Sequence, residues 1–274
     1  MIGILVQSTT RNKKTGNIPT VIVGQNQKDI VSSCQQSGCV LLSEQLGGSG
    51  MYKDLGLKPC YAHKSHVSWG TKSIFRAIER GTKTLEDYSI KEGFRMASRH
   101  AKYFRLSSIG DCSVLDPSII DELLSEAKRY QLTPLGYTAN PEATHLQNIV
   151  LLSCPTMARA DAAIKDGWRV AVQITKPYRH GDSKTFTTPD GHLGVICPEQ
   201  TQAIKYKAID ERNKAVLLLL LAIASNEGFI FTVSYSGQNK PSARKKITCN
   251  TCGLCARGNT HKTKYKAIGF IPHN

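Results

Sequence analysis

The sequence predicts an α/β protein built on a parallel sheet, and three observations carry that expectation. Short apolar runs of strand length recur at residues 103–107, 135–138, 148–153 and 168–174. Segments with helical spacing of apolar residues lie between them, the alternation that builds βαβ units. The chain has 274 residues, of which 40% are hydrophobic, enough to fill the core of one large domain or two small ones and to exclude disorder as its main state.

Taken in order, residues 2–6 and 20–23 read as short strands around a turn-rich segment, Asn12-Lys13-Lys14-Thr15-Gly16. Residues 34–60 are expected to be loop, because Gly47, Gly48, Gly50 and Gly56 interrupt any long element. Apolar spacing predicts helices over residues 68–80 and 85–100. After the strand at 103–107, Asp116 and Pro117 supply an N-cap and a first-turn proline for a helix running to Tyr130. Strands at 135–138 and 148–153 follow, then a helix over 156–166 that Gly167 ends, then the strand at 168–174. Beyond Cys197 the pattern changes. Residues 199–226 read as mostly helical, with 217–221 apolar on every side and therefore buried or at a contact surface. Residues 229–235 and 265–271 read as strands, and 237–246 as a basic connection. The chain thus divides into a core at 1–198, a helical segment at 199–246, and a cysteine-rich segment with a closing strand at 247–274.

Thirty-six Lys and Arg against 21 Asp and Glu give a formal charge of +15. That excess favours a polyanionic partner such as nucleic acid, a phosphorylated ligand or an acidic protein. The opening residues carry no cationic start and too short an apolar run for a signal peptide. The longest apolar stretch, residues 215–224, is about half of what a membrane span needs. The expectation is a cytoplasmic protein with no membrane partner.

Nine cysteines are present, and they are clustered, which in a reducing compartment points to metal or cluster ligation before disulfides. The strongest local pattern is Cys249-Asn250-Thr251-Cys252-Gly253-Leu254-Cys255, a C-x2-C-x2-C run. Its tight turns let several thiolates converge on one small centre, as an iron–sulfur cluster requires. Zinc uses the same ligands, usually as two pairs or with a histidine. Three thiols plus one distant cysteine favour a [4Fe–4S] cubane, and Cys197, followed by Pro198, is the nearest upstream candidate. Cys34, Cys39 and Cys60 form a second group that would hold a cluster with one iron open, or share zinc with His63 or His66. Their spacing leaves convergence and simple burial equally open. Cys112 and Cys154 are isolated and read as packed thiols.

Parallel sheets carry their functional loops beyond the carboxyl ends of the strands. The polar residues there are Arg105, Asp111, Asn140, Ser153 and Lys176. Arg105 is a candidate clamp for a carboxylate or phosphate, and Asp111 a candidate base or the residue that orients the arginine. The plainer alternative is an Arg–Asp pair that holds the loop. Asn140, Ser153 and Lys176 are candidate ligand contacts. A different reading, a zinc-stapled nucleic-acid-binding module, rests on Arg244-Lys245-Lys246 and on Arg257, His261, Lys262, Lys264 and Lys266 around the final cysteines.

Several motifs in order resemble a family of uncharacterised proteins carried by bacteriophages and prophages. They are Asn12-x-Lys14-Thr15-Gly16-x-Ile18-Pro19, Cys34 and Cys39, Cys60-Tyr61-Ala62, Arg105 with Gly110-Asp111, Tyr137-Thr138, and Ser153. They continue with Thr188-Pro189-Asp190-Gly191, Cys197-Pro198, the C-x2-C-Gly-Leu-C run and Ile268-Gly269-Phe270-x-x-His273. The resemblance implies a phage protein with iron–sulfur ligation, working in the host cytoplasm, with a redox partner if it transfers electrons. Cys60-Tyr61-Ala62 followed by strand-end polar residues also resembles, distantly, the radical-S-adenosylmethionine enzymes. That likeness implies a partial (βα) barrel-like parallel sheet. The loop before Cys60 is long and a compact C-x3-C-x2-C is missing, which departs from the radical-enzyme pattern. Relative to shorter relatives, residues 199–246 resemble an insertion.

Overall fold

The computed structural model describes residues 3–9, 16–55, 60, 66–174, 182–197, 255 and 267–270. Its first sheet holds β1 (Ile4–Gln7), β2 (Thr20–Val23), β3 (Tyr103–Ile109) and β4 (Thr133–Leu135), in that spatial order. β1 is antiparallel to β2, and the other pairings are parallel. The second sheet contains β5 (Tyr137–Thr138), β6 (Leu151–Cys154), β7 (Val170–Gln173), β8 (Thr185–Thr187), β9 (Leu193–Ile196) and β10 (Ala267–Phe270). Its spatial order is β5-β6-β7-β10-β9-β8, parallel throughout except for the β8–β9 hairpin. The architecture is mixed α/β with parallel sheets, and among the described residues no closed barrel forms.

The expected single strand at 135–138 is two strands, because the chain changes partners at Gly136. Leu135 pairs with Arg105 in the first sheet and Tyr137 with Leu151 in the second. A Cβ on Gly136 would lie 3.1 Å from a Val150 methyl and 3.2 Å from the Leu106 Cβ, so a side chain at the switch would press on both.

The principal helices are α1 (Gln27–Gln36), α2 (Met51–Asp54), α3 (His66–Glu79), α4 (Ile90–Ala97), α5 (Pro117–Arg129) and α6 (Met157–Lys165). Local chemistry sets their ends. Asp116 accepts from the Ser118 amide ahead of Pro117, and Thr156 accepts from the Arg159 amide. The helical pattern expected over 85–100 resolves into a 3-10 turn (Glu86–Tyr88) and α4. Ser89 lies between them in extended conformation and caps α4 by accepting from the Glu92 amide.

The largest core unites one face of both sheets. Phe94 and Ala97 of α4, Ile120 and Leu123 of α5, and Ala160 and Ala163 of α6 pack there with Val23, Phe104, Leu106, Leu152, Val170, Val172 and Ala267. Phe94 and Phe104 meet with ring centroids 4.8 Å apart. The opposite face carries two smaller cores. In the first sheet, Leu5, Ile22 and Ile109 meet Ile30 of α1 with Ile74 and Phe75 of α3; in the second, Leu151, Ala171, Val195 and Ile268 form an apolar patch. Strands buried on both faces read as continuous apolar runs, which is why the periodicity showed them clearly.

The β8–β9 hairpin was not among the expected elements. Its turn, Thr188-Pro189-Asp190-Gly191, is fastened to α6: buried Asp161 accepts from the Thr188 hydroxyl and the Asp190 amide, and Lys165 pairs with Asp190 at 2.7 Å. Among the described residues, no helix is long and apolar enough to cross a membrane. The expected elements at 199–226, 229–235 and 237–246 lie outside the described residues.

Candidate functional site

The turn after β3 is organised by Gly110 and Asp111. Gly110 has φ +80°, and a Cβ there would stand 2.6 Å from the Val23 carbonyl oxygen and 2.8 Å from the Ser33 hydroxyl, so a side chain is excluded twice over. The Asp111 amide donates to that Ser33 hydroxyl at 3.1 Å. Its buried carboxylate accepts from the Ser113 amide (2.9 Å), the Thr138 hydroxyl (2.8 Å) and the Ala139 amide (2.8 Å). Asp111 therefore ties the loop after β3 to the loop after β5, across the junction of the two sheets. Three donors converge on this carboxylate, which is the geometry of a positioning residue. Arg105 lies mid-strand, its guanidinium carbon 5.8 Å from the Tyr137 ring centroid.

Cys34, Cys39 and Cys60 meet beside this turn. Helix α1, not foreseen from the sequence, sets the first of them. Asn26 caps it by accepting from the Asp29 amide, and Cys34 falls on its last turn, buried against the sheet. Gly38 then takes φ +67° and turns the chain, so that the Cys39 amide donates to the Cys34 carbonyl at 3.1 Å. The Cys60 amide donates to the Leu41 carbonyl at 2.7 Å, which returns the chain to the same place. The thiols feel one another. Burial pushes the Cys34 thiol far up, and Cys39, Cys60 and Asp111 raise it further; burial followed by Cys60 are the main causes that push Cys39 up to about 11. As placed, no group of three or more His, Cys, Asp or Glu side chains among the described residues could hold a metal ion.

A second sulfur neighbourhood lies on the other sheet. Cys197, just beyond β9, and Cys255 both pack against the patch of Leu151, Ala171, Val195 and Ile268, with Tyr137 beside them. The Tyr137 hydroxyl donates to the Cys255 sulfur at 3.1 Å. Arg169, 3% exposed at the foot of β7, lies within electrostatic reach of the same sulfur; burial lowers its pKa and Cys255 opposes that shift. Tyr137 and Arg169 were not singled out as site residues from the sequence. An arginine directly before the apolar run Val170-Ala171-Val172 is a signal that could have flagged it.

Of the remaining candidates, Asn140 accepts from the Glu142 amide at 3.0 Å through its side chain, while its own amide donates to the Thr138 hydroxyl at 3.1 Å. It thus shapes the loop that Asp111 holds. Ser153 is half-buried on β6, opposite Ala171. Cys112 and Cys154 are buried in the main core, where desolvation drives both thiols upward. Lys176, Cys249, Cys252, His63 and His273 lie outside the described residues, as do the basic residues 244–246, 257, 261, 262, 264 and 266. His66 opens α3.

No protein-family model matches this chain, and no curated protein or solved structure shows detectable similarity to it.

Proposed function

We propose that this chain is an iron–sulfur protein of the bacteriophage type its motifs resemble, with a [4Fe–4S] cluster held by Cys197, Cys249, Cys252 and Cys255. The observation that supports the reading is that Cys197 and Cys255, from distant parts of the chain, both pack against one apolar patch, with the Tyr137 hydroxyl donating to the Cys255 sulfur. A dry, partly cationic surface suits an anionic cluster. Four thiolates saturate the irons, which fits electron transfer to a redox partner, or structural stabilisation, better than substrate activation.

In this reading Cys34, Cys39 and Cys60 are the second centre, another cluster or a zinc site, and the three thiols must draw closer together than they now lie to hold it. Support comes from their mutual electrostatic influence beside the Asp111 turn. A partial (βα) barrel-like curvature accompanies it, supported by α4, α5 and α6 sharing one face of both sheets through the Gly136 junction. If the chain is a radical-type enzyme, Arg105 clamps an anionic ligand, Asp111 positions the strand-end loops, and Asn140, Ser153 and Lys176 line the approach.

The test is anaerobic purification with iron and sulfide analysis, repeated on Cys252→Ala and Cys60→Ala. Brown protein with broad violet-end absorbance is expected, losing iron and sulfide in Cys252→Ala. Colourless protein carrying only stoichiometric zinc overturns the reading.

The charge of +15 favours a second reading, a zinc-stabilised protein that binds nucleic acid. It predicts a gel shift that weakens steeply with salt, and no shift even at low salt removes it.

A further inference from the structure

Helices α4 and α5 pack on one another and end side by side at the amino ends of β3 and β4, the edge opposite the Asp111 turn. The two exits are tied together: the Leu132 amide donates to the Ala127 carbonyl at 2.8 Å, and the Thr133 amide to the Lys102 carbonyl at 2.9 Å. What this edge shows to water is cationic. Arg95, Arg99, His100, Lys102, Lys128 and Arg129 are all exposed there. Residues 92–102 and 126–131 hold five Lys and Arg against two Glu. Each Glu is paired to an arginine of its own helix, Glu92 to Arg95 at 2.7 Å and Glu126 to Arg129 at 3.6 Å. A cation in the last turn complements the helix dipole, and Arg95, Lys128 and Arg129 meet that need. Arg99 and Lys102 lie beyond the last residue of α4, so the dipole does not account for them. Among the described residues of these two stretches, Met96, 40% exposed, is the one large apolar side chain open to water. Protein interfaces are built around apolar and aromatic anchors, whereas a phosphodiester backbone asks only for cations and donors.

We propose that this edge is a nucleic-acid-binding face on which Arg99, His100, Lys102 and Lys128 contact backbone phosphates. The inference rests on the second reading above only for the class of partner; it places the contact on the folded core and requires no metal. Helix axes packed about 8–10 Å apart set the two groups of cations across a span of two or three phosphates, at about 3.4 Å of rise per phosphate on one strand. Contacts to phosphates carry no sequence information, so the face binds without sequence preference and weakens steeply with salt.

The experiment uses the full chain and a fluorescein-labelled DNA duplex of about 20 base pairs, read by fluorescence anisotropy from about 50 to about 300 mM salt. One variant combines Arg99→Gln, Lys102→Gln and Lys128→Gln. A second combines Lys28→Gln, Lys72→Gln and Lys184→Gln, exposed lysines on α1, on α3 and ahead of β8, and so loses the same charge elsewhere. All six side chains are exposed, so both variants are expected to keep the parent's circular dichroism. At low salt the first variant is expected to bind about tenfold or more weakly than the second. Its slope of log affinity against log salt is expected to be shallower than the parent's by about 3. If the first variant fails to fold, the three single substitutions decide, each expected to lower the slope by about 1. Equal weakening in the two variants overturns this inference and leaves the nucleic-acid reading standing on the charge of the whole chain. Displacement of the duplex by poly-L-glutamate as readily as by unlabelled duplex of equal charge makes the partner any acidic polymer and also overturns it. Parent protein that binds no duplex even at low salt overturns the nucleic-acid reading, and this inference with it.

Discussion

Around Cys34, Cys39 and Cys60 burial is what chiefly holds the Cys34 and Cys39 thiols protonated, with the neighbouring thiols next and the Asp111 carboxylate adding a smaller push in the same direction. Around Cys255 the surroundings are reversed, with the Arg169 guanidinium within reach and the Tyr137 hydroxyl donating to the sulfur. The difference teaches that clustered thiols in one chain need not share a chemistry. Buried thiols crowded together keep their protons to higher pH than exposed ones. The Cys255 sulfur instead accepts a hydrogen bond and bears on a buried guanidinium.

That contrast breaks most readily at Asp111. Asp111→Ala removes three hydrogen bonds and the link between the loops after β3 and β5. It is expected to destabilise the metal-free protein by about 3–5 kcal/mol, measured by urea unfolding. A loss below about 1 kcal/mol shows instead that the loops are held by packing alone.

Next in size is thiol reactivity. With its pKa at about 11, Cys39 presents roughly 0.1% thiolate at pH 8, against about a quarter for an ordinary thiol. Alkylation of Cys39 in metal-free protein, followed by mass spectrometry, is expected to run about a hundredfold slower than in the unfolded chain. Comparable rates in both states mean that the group is open to water. Asp111→Asn sharpens the comparison: burial is the largest cause of the raised values, so the rate should rise only modestly.

A pH dependence of stability follows from the same shifts. In the unfolded chain these thiols ionise near pH 8.5, and in the folded protein Cys39 holds its proton to about 11 while Cys34 and Cys112 hold theirs still more firmly. The folded state thus binds more protons above pH 8.5. Its extra stability is complete below that point and is lost as pH rises toward 11, by up to about 1.4 kcal/mol per pH unit for each such thiol. Denaturant midpoints of reduced, metal-free protein between pH 8 and 10.5 check this; a flat profile contradicts it.

The smallest effect is expected on the other side of the comparison. In metal-free protein, Tyr137→Phe removes one half-buried hydrogen bond and should cost only about 0.5–1.5 kcal/mol. A loss as large as that from Asp111→Ala would make the tyrosine a structural anchor.

Much of this architecture was readable before any coordinates. The helices at Pro117 and Met157 announced themselves through Asp116, Pro117, Thr156 and Gly167, since capping is a local interaction between near neighbours. The buried strands showed as apolar runs for an equally local reason. Helix α1 was missed although Asn26 and Asp29 mark its start: residues 24–33 were given no element, and its last turn fell in the 34–60 stretch read as loop. The hairpin at β8 was missed because Thr185–Thr187 is short and largely exposed, leaving only the Pro189-Asp190-Gly191 turn as a sign.

By itself the sequence determined the alternation of strands and helices, the helix ends, the positive charge and the spacing of the cysteines, all of which depend on residues close together in the chain. The tertiary structure alone decided that Leu135 and Tyr137 would serve different sheets, that Asp111 would answer to Thr138 and Ala139, and that Tyr137 would reach the Cys255 sulfur. Each of those depends on how parallel strands register with partners far away in the chain. Register is fixed by burial on both faces of the finished sheets, and no stretch of residues carries that information alone.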